Sequence, residues 1–181
     1  ELAPFRPASD VGEQPMSESR LREGAGFFVY SDDAAQARRA IRVFYSCPQS
    51  GVRDAPIVIA MHGMDRAAAE FRDVMTAQSI RNGQIVLVPE FDAHQFPEFY
   101  AYNFGGVRLP PPCNTVLPRE HWNFGTIDRL FAHVRDSIGS NRKSFGLFGN
   151  SAGAQYVLRY LALTEARAVD TAVAANCGVY M

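Results

Sequence analysis

The sequence predicts an α/β protein, a mostly parallel sheet with helices on both faces. Three observations predict it. Short continuous apolar runs at Ile57–Met61, 85–88 and 144–148 have the composition of strands buried on both faces. Apolar residues recur at helical spacing between and after these runs, so strand and helix alternate along the chain. A strand, a helix and a second strand in succession return the chain in parallel, because a tight hairpin joins only antiparallel neighbours. With 181 residues, the chain fits one domain.

Taken in order, residues 1–24 mix Pro, Ser, Glu and Arg without periodicity and read as an extended lead-in. Residues 26–30 and 39–46 read as strands, the second alternating Ile41, Val43 and Tyr45 against Arg42 and Phe44, with a hairpin through 31–38. After a Pro- and Gly-containing turn comes the strand Ile57–Met61. Asp65 then caps a helix whose stripe is Ala68, Phe71, Met75 and Ile80, ended by Asn82-Gly83. The strand 85–88 is closed by Pro89. Ile127, Leu130, Phe131, Val134 and Ile138 define a strongly amphipathic helix ending at Gly139. The strand 144–148 follows, then a helix with Ala154, Val157, Leu158 and Leu161 as its stripe, and a last strand at 170–175.

Composition narrows the function classes. Hydrophobic residues at 47% and charged residues at 20% support a buried core and argue against disorder. Eighteen Lys and Arg balance nineteen Asp and Glu, with no basic run, so nucleic acid is not expected as a partner. No apolar run approaches the ~20 residues that a membrane-spanning helix needs. Cys47, Cys113 and Cys177 are too few and too scattered for a disulfide framework or a paired-cysteine metal site; at most one disulfide can form, and no metal or cofactor is expected. The compartment, cytoplasmic or exported, stays open.

The motif that carries chemistry is Gly149-Asn150-Ser151-Ala152-Gly153. It lies between a predicted strand and a predicted helix, the setting of a nucleophile elbow, in which small residues flank the serine because the backbone closes on itself. Such a turn holds the Ser151 hydroxyl out at the carboxyl edge of the sheet, and the helix behind it favours a developing negative charge. The blander alternative is a Ser-Gly turn that caps a helix. A second element, Met61-His62-Gly63-Met64, directly follows a strand. Acyl transfer needs preorganised N–H donors for the oxyanion, and Met64 and Ala152 are the natural pair. His62 is read as shaping this loop with Gly63 rather than as a general base, with Gly149 and Gly153 shaping the elbow.

At these residues the chain resembles the α/β-hydrolase superfamily, and the stretches VLVPEFD (86–92), AYNFGGV (101–107) and GNSAGAQYVLRYLAL (149–163) are similar to esterases related to polyhydroxyalkanoate depolymerases and feruloyl esterases. The resemblance implies an α/β-hydrolase sheet, a Ser-acid-His triad in that chain order, a covalent acyl-enzyme and no metal. One feature departs from the pattern. His62, His94, His121 and His133 all precede Ser151, and only Glu165 and Asp170 follow it as carboxylates. Two explanations stand: residues 25–181 are the amino-terminal part of one α/β-hydrolase domain lacking the last strands, or an earlier histidine is recruited. The first is favoured, so a complementary carboxyl-terminal segment or chain is the expected partner.

The segment 91–124 is long for a connection and holds Phe91, Phe96, Phe99, Tyr100, Tyr102, Phe104, Trp122 and Phe124. It reads as a binding wall, with Phe99 and Tyr102 as candidate substrate-pocket residues, or as rings that pin an irregular loop to the sheet. The function these features favour is a serine hydrolase cleaving a small or polymeric carboxylic ester through Ser151. An amidase or peptidase would use the same groups, and a non-catalytic binding or scaffold module could be built on the same fold.

Overall fold

A computed structural model describes residues 21–33 and 39–179; most of the predicted lead-in and the tip of the first hairpin lie outside these residues. The described elements are β1 (Gly24–Asp32), β2 (Arg39–Cys47), β3 (Ile57–Met61), α1 (Ala68–Arg81), β4 (Ile85–Pro89), a single-turn helix α2 (Glu98–Ala101), α3 (Phe124–Ser137), β5 (Phe145–Asn150), α4 (Ala152–Leu163) and β6 (Val169–Ala175). They form one six-stranded sheet in the order β1-β2-β4-β3-β5-β6. The β1–β2 and β2–β4 pairings are antiparallel, and the β4–β3, β3–β5 and β5–β6 pairings are parallel.

The two faces of the sheet are covered differently. One bears the larger core, where Ile57, Ile59, Ile85 and Leu87 from the strands meet Ile127, Leu130, Phe131 and Val134 of α3 and Tyr156, Val157 and Tyr160 of α4. The other is smaller, with Phe44, Ala60, Val86 and Val88 under Ala68 of α1. Buried strands of this kind exclude water from the whole sheet interior, which makes them continuous apolar runs in the sequence.

The apolar stripe expected on α1 is only partly the buried face. Ala68, Arg72 and Ser79 are its buried residues; Phe71 and Met75 are half-buried, and Ile80 is exposed. Helix α1 begins three residues after Asp65, whose carboxylate accepts the Ala67 N–H at 3.4 Å instead of capping the helix from its first position. Arg72 is buried because its guanidinium donates to the carbonyls of Gly26 and Tyr45 at 2.8 and 3.1 Å and pairs with Asp73 at 2.7 Å. Ser79 meets Ser46 of β2 in a hydroxyl–hydroxyl hydrogen bond. Polar groups that find partners can occupy positions that periodicity reserves for apolar ones. In α4 the same correction applies to Leu161, which is exposed, while Tyr156 and Tyr160 take the core.

At the carboxyl edge of the sheet, Asp32 at the end of β1 accepts from Thr126 Oγ1 and from Arg129 Nε and Nη2, each at 2.7 Å, and so fixes α3 against the hairpin. The three cysteines are free: Cys47 buried, Cys177 half-buried and Cys113 exposed. Among the described residues, no helix is long and apolar enough to cross a membrane.

Candidate active site

β3 and β5 are parallel neighbours with Met61 opposite Gly149, so the two strands run out level and deliver their following loops to the same place. The β5–α4 turn is tight. Ser151 stands between them with φ 54° and ψ −112°, a backbone conformation that L-residues rarely adopt. Three contacts hold it there: the Ser151 N–H donates to Ala175 O of β6 at 3.0 Å, the Gln155 N–H donates to Ser151 O at 3.2 Å, and Asn176 Nδ2 donates to Asn150 Oδ1 at 2.9 Å. The Ser151 side chain is exposed at the amino end of the twelve-residue helix α4.

The two glycines that flank Ser151 are there for space. A Cβ on Gly149 would lie 2.8 Å from Ala154 N and closer still to the Gly153 carbonyl. A Cβ on Gly153 would lie 2.6 Å from the Met61 carbonyl carbon and 2.8 Å from His62 O, nearer than side chains approach backbone. The start of α4 therefore lies directly on the backbone of Met61 and His62. Gly63 and Met64 follow directly on this contact; Met64 is exposed, and Ala152, in the first turn of α4, is buried.

His62 is fully buried. Its Nδ1–H donates to Gly63 O at 2.9 Å, and its Nε2 accepts the Phe91 N–H at 3.0 Å, which assigns a neutral ring with both nitrogens engaged. Burial drives its pKa down to about 4. It joins the loop after β3 to the loop after β4. The other histidines are placed elsewhere: His133 packs against Phe28 and Tyr30 of β1, His121 borders a cavity under the aromatic segment, and His94 is exposed with its N–H donated to Asp92.

Tyr102, expected in a substrate pocket, belongs instead to the core. It is fully buried, donates its hydroxyl to His62 O at 2.7 Å, and packs against Phe91, Tyr156 and the His62 ring. Phe99 is exposed and packs on Tyr100 and Phe104. The cavity that the aromatic segment forms is walled by Phe96, Tyr100 and Trp122, and neither Ser151 nor Met64 lines it.

Sequence reasoning missed Arg66. With φ 62°, it turns its guanidinium over the Tyr102 ring at 4.4 Å and donates to the carbonyls of Phe91, Phe96 and Glu98. It thus clamps the loop after β3 to the aromatic segment. No spacing rule signals a side chain whose partners are backbone carbonyls about thirty residues on. Asn103 and Gln155 were also missed; the Asn103 Nδ2 donates to Gln155 Oε1 at 3.3 Å, one turn into α4.

Solved structures resemble this arrangement. Poly(aspartic acid) hydrolase-1 from Sphingomonas sp. KT-1 superposes with a TM-score of 0.82 at 32% identity over 88% of this chain and 59% of its own. LpqC, a poly(3-hydroxybutyrate) depolymerase from Bordetella parapertussis, gives 0.81 at 26% identity over 88% of this chain and 54% of its own. An acetyl xylan esterase from Aspergillus awamori, at 14% identity and a TM-score of 0.58, shares the fold. No family model matches the chain, and a search of curated proteins gave no significant match. The chain thus spans under two thirds of the length of the first two structures. Its fold is the α/β-hydrolase fold.

Proposed function

We propose that this chain carries the nucleophile of a serine hydrolase that cleaves carboxylic esters. The observation that supports this reading above others is the exposed Ser151, held in a rare backbone conformation at the head of α4 with glycine-only spacing on either side. Strain of this kind costs on the order of 1–3 kcal/mol and persists where the surroundings over-determine it. A serine that only capped a helix would need no such conformation.

In the proposed mechanism, Ser151 Oγ attacks the ester carbonyl while its proton passes to a histidine. The oxyanion is received by the N–H groups of Met64 and Ala152, supplied by the two segments that Gly153 holds in contact. Collapse expels the alcohol, and water then releases the acid from the acyl-enzyme by the same route. His62, with both nitrogens engaged, is assigned to loop support together with Gly63. The histidine and its carboxylate partner are assigned to a segment after residue 181 or to a second chain, docked beside β6, whose Val173 is 48% exposed. The neighbours named for polyester and polyamide hydrolysis support a polymeric or oligomeric acyl substrate. The poly(aspartic acid) hydrolase among them favours a second reading in which the bond is an amide.

Hydrolysis of p-nitrophenyl butyrate by the intact protein tests this. Ser151→Ala should lower kcat/KM by about 10⁴ or more, since only oxyanion and binding effects remain without the nucleophile. An unchanged rate overturns the proposal.

A further inference from the structure

Two arginines are more than nine-tenths buried, and they are engaged very differently. Arg72 donates to two backbone carbonyls and pairs with Asp73. Arg159 of α4 is 6% exposed and has no carboxylate partner among the described residues. Its Nη1 donates to Gln155 O at 3.0 Å and reaches Gln155 Oε1 at 3.5 Å, and its cation lies over the Phe104 ring at 4.0 Å. Its Nε and Nη2 make no hydrogen bond among the described residues. Neither is sealed from solvent, because the fully buried side-chain atoms without a partner are Asn103 Oδ1, Arg108 Nε and Asn123 Oδ1. Arg159 therefore presents one free edge of its guanidinium while the rest of the side chain is buried. Burying a cation without a counter-ion is costly, and arginine keeps its charge rather than shedding the proton. A bound anion offsets that cost, and the planar fork matches a carboxylate.

The helix fixes where this edge stands relative to Ser151. Ser151, Gln155 and Arg159 follow one another at intervals of four residues, which places them along one face of α4. The Gln155 N–H donates to Ser151 O at 3.2 Å and ties the first turn to the serine. Helical side chains lean toward the amino end, and the bond from Nη1 to Gln155 O has Arg159 folded back that way. The guanidinium is thus held between one and two turns from Ser151, roughly 5–11 Å along the axis. Between them, Gln155 Oε1 accepts from Asn103, while the Nε2 hydrogens of Gln155 make no hydrogen bond among the described residues.

We infer that Arg159 is an anion subsite for the acyl part of the substrate, so that the preferred ester carries a free carboxylate several bonds beyond the carbonyl that Ser151 attacks, as a half-ester of a dicarboxylic acid does. The inference rests on the reading of Ser151 as the nucleophile. The carboxylate accepts from Nε and Nη2 of Arg159, the two donors that the protein leaves unused. The terminal carbons of a six-carbon diacid lie roughly 6 Å apart at ~1.5 Å per bond, a span that matches the distance from the serine to the guanidinium.

Hydrolysis of three methyl esters of similar length by the intact protein tests it: monomethyl adipate, which is anionic, methyl adipamate, which is neutral, and methyl 6-aminohexanoate, which is cationic. Monomethyl adipate should have a kcat/KM about tenfold above methyl adipamate, with the cationic ester slowest and the difference carried mainly by KM, since the carboxylate contact is present before and during attack. Arg159→Gln should bring the adipate-to-adipamate ratio within about twofold of one, whereas Arg159→Lys, which keeps the charge, should retain a ratio of about threefold or more. A purely structural role for Arg159 would change all three rates together and leave the ratio as it was. The comparison among esters needs no variant, so a misfolded Arg159→Gln leaves it intact. Ser151→Ala should abolish cleavage of all three. Equal kcat/KM for the adipate and adipamate esters, or a preference that survives Arg159→Gln, overturns the inference with the nucleophile reading intact and leaves the guanidinium to a carboxylate of the complementary segment. Failure to cleave monomethyl adipate by a protein that hydrolyses p-nitrophenyl butyrate overturns it equally. Cleavage that survives Ser151→Ala overturns the nucleophile reading and this inference with it.

Discussion

Replacing Gly153 with alanine adds a single methyl group at the contact on which the whole site rests. The new Cβ would sit 2.6 Å from the Met61 carbonyl carbon and 2.8 Å from His62 O. The Met61 carbonyl oxygen would be closer still. An ordinary contact begins near ~3.4 Å, so the backbones must separate by about 1 Å or more. Both neighbours are backbone, anchored in β3 and in the His62–Phe91 hydrogen bond, and cannot rotate aside as a side chain would. Overpacking of this kind costs about 1–3 kcal/mol, or roughly 2–12 °C in melting temperature for a domain of this size. The same movement displaces Ala152 relative to Met64. A misplacement near 1 Å can cost ~10²-fold in rate, so kcat should fall by about that factor with KM less affected. Differential scanning calorimetry and p-nitrophenyl butyrate kinetics read the two effects, with Gly178→Ala as control, because a Cβ there meets only Gln155 Nε2 at 3.8 Å. A Gly153→Ala protein with the parent's melting temperature and kcat would refute the reasoning.

Three further outcomes follow from the same geometry. Burial lowers the His62 pKa from 6.5 to about 4, so the unfolded chain binds the proton more tightly than the native one. The resulting stability is full above about pH 6.5 and is lost as pH falls toward 4, by roughly 3 kcal/mol; His62→Gln should flatten that part of a melting-temperature-versus-pH curve, and a parallel curve would contradict the assignment. Tyr102→Phe should cost about 1–2 kcal/mol through the lost hydrogen bond to His62 O while leaving the preference between bulky and short esters unchanged, and a specificity change without destabilisation would return Tyr102 to the pocket wall. Arg72→Leu should destabilise by about 2–4 kcal/mol in urea unfolding, because the carbonyls of Gly26 and Tyr45 lose their guanidinium partner; stability equal to the parent's would show those hydrogen bonds to be inconsequential.

The parts of this fold that can be read from sequence are those in which one residue's chemistry decides its own placement. Ile57, Ile59, Val86 and Leu87 must leave water, and their continuous runs announce buried strands. Gly149 and Gly153 announce the tight β5–α4 turn because a Cβ at either would run into backbone. What sequence hides are placements decided by distant partners. Arg72 and Ser79 occupy the buried side of α1 only because β1 and β2 supply acceptors and a hydroxyl that adjacent sequence does not reveal. Tyr102 reads as a pocket ring and sits in the core because its hydroxyl has His62 O as an acceptor forty residues earlier. The aromatic segment holds a short helix, α2, and walls a cavity that Ser151 does not line, since its path is set by the Arg66 clamp on three carbonyls.

The central claim is that Ser151 is an activated nucleophile. Treating the intact protein with a fluorophosphonate and mapping the adduct by peptide mass spectrometry tests it most directly, because the reagent phosphonylates only a serine whose proton is removed beside oxyanion donors. The account predicts one adduct per chain, on Ser151, formed in competition with p-nitrophenyl butyrate and absent from Ser151→Ala. An adduct on another residue, or no adduct from a protein that still hydrolyses the ester, would contradict it.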